Sequence, residues 1–129
     1  MFFSELAKNI LKHIILSFLK GFTTREWYRE IEVSGKKVKL GDYLVENNVL
    51  IIDYIKENYR DVYNLAKNFL KNRKDILEKL NYENVLEWIE KETKNYELVN
   101  LFRYNEKAKK WLINNLEAIK KEFYESGSF

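Results

Sequence analysis

The chain has 129 residues, 46% of them hydrophobic and 16% aromatic, which is enough to fold around one core and too little for two. Charged residues reach 33% but nearly cancel, and a formal net charge of +3 at pH 7 does not by itself demand a polyanionic partner. With no cysteine and a single histidine, His13, the chain excludes disulfides, thiolate metal sites, a cysteine nucleophile and the usual zinc ligand sets; no cofactor is expected, and the setting expected is reducing and cytoplasmic.

The basic excess is local. Residues 1–41 carry 8 basic and 4 acidic groups, residues 42–80 carry 7 of each, and residues 81–129 carry 8 and 9. Proline is absent, so glycines at 21, 35, 41 and 127 are the main punctuation. Glutamine is missing and methionine occurs only at position 1, a thermophile-like bias that the many asparagines oppose.

The spacing predicts a first helix over about residues 5–20, with Ser4 as N-cap and Gly21 as terminator. Glu5, Lys8, Asn9, Lys12, Ser17 and Lys20 gather on one side, and those charges interrupt the apolar run too often for a membrane span or export signal. Leu6, Ala7, Ile10, Leu11, Ile14, Ile15, Phe18 and Leu19 cover well over half the circumference, so the helix needs several neighbours. Leu16 falls on the polar side, where either a loop or another chain must cover it.

Residues 30–40 hold the one period-2 stretch, which predicts a β-hairpin. Pairing Val33 with Val38 and Ile31 with Leu40 places Gly35-Lys36 in a type II′ loop, and the apolar face is expected to lie on helices.

From Asp42 onward the pattern is helical. Asp42 is expected to cap a short helix to about Glu46, Asn47-Asn48 to break it, and residues 49–71 to form one helix or two with a kink. A polar break at 72–75 precedes a turn ending at Asn81. Helices over about 83–92, from Thr93 or Lys94, and from an Asn105 cap to near the C-terminus complete the chain, with Trp88 and Trp111 on core-facing stripes and Ser126-Gly127-Ser128 fraying. Acid–base pairs at i,i+4, such as Glu87/Lys91 and Glu117/Lys121, reinforce the helices. The fold class predicted is therefore mainly α: a single-domain bundle of about five to seven helices with one hairpin near residues 30–40.

No catalytic constellation emerges. His13 has no Ser or Asp placed by sequence to make a triad, none of the serines sits in a G-x-S-x-G elbow, and no two glycines are closer than six residues, which excludes a phosphate-binding loop. Asp53, Glu57 and Asp61 recur at i, i+4 and i+8, but carboxylate-bridged bundles add a Glu-x-x-His pair that this chain lacks, and Lys56 and Arg60 make a salt-bridged face the simpler reading. A helix-turn-helix over 83–104 would carry 5 acidic and 3 basic groups, the wrong sign for facing phosphates.

Two partner readings remain. In the first, a non-enzymatic protein works by self-association or as a small subunit of an assembly, through Leu16, Ile15, Leu19 and Phe22 and through surface tyrosines among Tyr43, Tyr54, Tyr63, Tyr82, Tyr96, Tyr104 and Tyr124. In the alternative, a nucleic-acid accessory protein uses Lys36, Lys37 and Lys39 of the hairpin with Arg25 and Arg29, and Trp27 and Tyr28 interleave as stacking surfaces. Against the second, lysines on a hairpin also keep an exposed edge soluble, and Trp27 also suits a core.

Overall fold

The computed structural model describes residues 2–19, 22–71 and 73–125. It is mainly α with one hairpin, in the order α1 (Phe2–Leu19), α2 (Thr24–Tyr28), β1 (Glu30–Val33), β2 (Lys36–Lys39), α3 (Leu40–Glu46), α4 (Ile51–Asn58), α5 (Arg60–Leu70), α6 (Lys74–Leu77), α7 (Tyr82–Thr93), α8 (Tyr96–Tyr104) and α9 (Glu106–Glu125). Nine helices among the described residues exceed the five to seven expected, and their starts show why. Thr23, Asn81, Asn95 and Asn105 cap α2, α7, α8 and α9 through side-chain oxygens, whereas α3, α4, α5 and α6 begin at Lys39, Leu50, Tyr59 and Arg73 with no side-chain cap.

Several boundaries differ from expectation. Helix α1 is already running at Phe2, so Ser4 lies inside it; Gly21 and the 126–128 tail lie outside the described residues. Asp42 sits in the first turn of α3 and pairs with Lys107 at 3.1 Å instead of capping. Asn81 opens α7 by accepting the Asn84 N–H, and Lys94 closes that helix in the left-handed region at φ 59°. Residues 49–71 form two helices, because the chain turns at Tyr59 (φ −133°, ψ 57°).

The wide apolar face of α1 is covered from within. Helices α4, α5, α6 and α7 pack against both α1 and α9, so Ala7, Ile10, Leu11, Ile14, Ile15 and Leu19 are all buried between elements of this chain. At the C-terminal end of α1, Phe18 and Phe22 meet Trp111 at ring-centroid distances of 6.2 and 6.0 Å, and Trp27 and Phe102 join the same cluster at 5.9 and 6.4 Å.

Two details lock this junction. A Cβ built on Gly41 would stand 2.2 Å from Cε2 of Trp27, so the first turn of α3 lies directly on the indole and only glycine fits. Asn115 of α9 is fully buried, and its Oδ1 accepts the Ile51 N–H at 2.6 Å while its Nδ2 donates to the Trp111 carbonyl at 2.9 Å. Trp111 Nε1 donates to the Val49 carbonyl at 3.0 Å. Thus α4, which lacks a cap of its own, has its first N–H satisfied by a residue 64 positions away.

The hairpin forms, two residues out of the expected register. Ile31 pairs with Val38 and Val33 with Lys36, leaving Ser34-Gly35 as the loop. Both have positive φ, 53° and 81°, the type I′ geometry that matches strand twist and favours glycine second. The I′ solution shifts Leu40 out of the hairpin into α3, though its N–H still donates to the Arg29 carbonyl at 2.8 Å. Ile31, Val33 and Val38 are half-buried, and the hairpin stands out from the bundle beside α3.

Candidate functional site

Three of the four residues of the first expected surface are used up by folding. Ile15, Leu19 and Phe22 are 0%, 1% and 7% exposed, core positions that no partner reaches while the bundle is intact. They had been expected at an interface because the helical wheel gives the width of an apolar face and not the number of neighbours in the same chain. Leu16 is half-buried and lines an open groove with Leu19 and with Glu92, Thr93 and Asn95 at the turn between α7 and α8.

The second expected surface is assembled, with its charge partly cancelled. Register sets Glu30 opposite Lys39 and Glu32 opposite Lys37, and Arg29 Nε pairs with Glu26 at 2.8 Å. Among the described residues, Lys36, opposite Val33, and Arg25 on α2 are the members of the set without an acidic group across from them or in an ion pair. Lys39 lies 5.8 Å over the ring of Tyr28. Trp27, expected to alternate with Tyr28 as a stacking surface, is instead buried at 3% exposure under Gly41.

The carboxylate stripe is divided by the turn at Tyr59, which places Asp53 and Glu57 on α4 and Asp61 on α5, all exposed. Among the described residues no three His, Asp or Glu side chains converge on a metal-sized site. The best-connected polar cluster lies elsewhere: Glu122 of α9 accepts from the Tyr63 hydroxyl at 2.6 Å and pairs with Lys56 at 2.8 Å. Burial alone would raise the Glu122 pKa, but the hydrogen bonds from Lys56 and Tyr63 outweigh it and hold the carboxyl below its ordinary value. Burial, with the Glu122 hydrogen bond added, pushes the Tyr63 phenol up. The cluster ties α4 and α5 to α9, and Tyr63 is nearly buried.

What the sequence reading did not find is a groove of about 530 Å³ between α2 and α8. Tyr28 and Tyr104, 47% and 76% exposed, line it together with Asn100, Glu97 and the buried Leu101. Tyr96, Asn100 and Tyr104 follow at i, i+4 and i+8 on α8, so Tyr96, also exposed, continues the same face. Asn105 Nδ2 donates to the Tyr28 hydroxyl at 3.1 Å, while its Oδ1 caps α9 through the Ala108 N–H. The Tyr96/Asn100/Tyr104 spacing was in the sequence; the meeting with Tyr28 depends on how α2 packs on α8. Among the described residues no helix is long and apolar enough to cross a membrane. No protein-family model, curated protein or solved structure matches the chain.

Proposed function

We propose that this is a non-enzymatic association protein that docks onto another polypeptide through the α2–α8 groove, with the hairpin beside it as a flank. The observation that carries the reading is the pair Tyr28 and Tyr104, two large amphipathic side chains left exposed on opposite helices of one groove. Exposed rings of this kind lose little rotamer freedom on binding and are enriched at protein interfaces. Self-association through α1 is weakened by the burial of Ile15, Leu19 and Phe22, which leaves Leu16 alone of that set, and the nucleic-acid alternative by Glu26, Glu30 and Glu32 standing against Arg29, Lys39 and Lys37.

The test is a photoreactive residue at position 104, with position 124 on α9 as the exposed control. The expected result is one dominant adduct with a different protein from position 104 only, which reforms between purified components and is lost on Tyr28→Ala. An adduct to RNA, to a second copy of this chain, or none above the control overturns the reading.

A further inference from the structure

We infer that the occupant of the α2–α8 groove is an extended, proline-rich segment carrying a basic residue; this rests on the docking reading above. The groove offers hydrogen-bond groups that the fold leaves unused. Among the described residues Asn100 and the Tyr104 hydroxyl make no hydrogen bond, and the Tyr28 hydroxyl, which accepts from Asn105, keeps its own proton to donate.

These groups select against the other forms a polypeptide takes. A helix satisfies its backbone internally and asks for an apolar trough, but the walls here are phenol and amide groups around Leu101. Strand addition needs a free backbone edge, and both walls are helices. A polyproline II segment has no internal hydrogen bonds and presents its carbonyls outward, and its proline rings pack between aromatic side chains. Tyr28 and Tyr104 supply the rings and the donors together. Among the described residues Glu97 is the one charged side chain lining the groove, and a Lys or Arg on the ligand would pair with it.

The experiment titrates the ¹⁵N-labelled full chain with a proline decamer bearing one arginine. A glycine–serine decamer with the same arginine, and a proline decamer with glutamate in its place, serve as comparisons. Saturable shifts confined to α2, α8 and Asn105 are expected, for the arginine-bearing proline peptide above the other two. Tyr104→Ala is expected to weaken binding about tenfold or more, a loss typical of an aromatic anchor. Glu97→Lys should abolish the preference for arginine over glutamate without changing the circular dichroism spectrum. Equal binding of the glycine–serine peptide, shifts on another face, or indifference to Tyr104→Ala overturns the inference. If the proline peptide fails while position 104 still crosslinks to its partner, the polyproline assignment alone falls; if both fail, so does the docking surface.

Discussion

Residues 22–44 face two ways, and the two sides are built by opposite rules. Inward, Phe22, Trp27, Gly41 and Leu44 are buried, and the Trp27 indole leaves Gly41 no room for a Cβ. Outward, Tyr28, Lys36 and Lys37 are exposed, and the groove beside Tyr28 holds polar groups the fold does not use. Stability is concentrated on the inward side, so substitutions there should cost the most, and substitutions outside should separate recognition from folding.

The largest effect is expected from Gly41→Ala. The new methyl has to displace an indole held by Phe22 and Trp111, and a loss of about 3 kcal/mol in urea denaturation would place it among severe overpacking changes. A loss under about 0.5 kcal/mol would show that α3 does not sit on Trp27 as described. Asn115→Leu comes next. It keeps the volume but strips the Ile51 N–H of its acceptor, and about 2 kcal/mol is expected, with faster amide exchange at Ile51 as the local signature.

Acid should act through the Glu122 cluster, which joins α9 to α4 and α5. The folded pKa of Glu122 is depressed, so its contribution is present above the unfolded value and lost as pH falls through the folded one. Thermal melts between about pH 5 and 3 should therefore drop less steeply in Glu122→Gln than in the unaltered chain. Identical slopes would mean that the carboxylate gains nothing from Lys56 and Tyr63. The smallest effect belongs to the outward side: Tyr104→Ala should stay within about 0.5 kcal/mol of the parent. A larger loss would make Tyr104 part of the core and dissolve the contrast.

How much of this was legible in the sequence follows the same division. Helices α1, α7 and α9 were readable because their apolar periodicity is long, and Asn105 was readable as a cap because asparagine acts locally. The starts at Leu40 and Tyr59 were not, because those helices begin without a side chain that marks them, whereas the polar run 72–75 did mark the break before α6. The hairpin was legible as a hairpin, while its register turned on whether Gly35 takes the first or second loop position. As for the site, Tyr96 and Tyr104 were recognisable as surface tyrosines. Their meeting with Tyr28 was hidden, since it joins residues 28 and 104 through tertiary packing alone.

The hydrogen bond from Ile51 to Asn115 also sets an order of events in time. The start of α4 stays unfastened until a side chain 64 residues later arrives, so during synthesis the front half of the chain must wait for the last helix before its frame is fixed. Helix α1 shares that wait, because α4 is one of the helices that covers it and its own Phe18 packs on Trp111 of α9. For this interval the most hydrophobic segment of the protein is made but not yet sheltered, and the N-terminal helix is where a stalled or truncated chain would first stick to its neighbours.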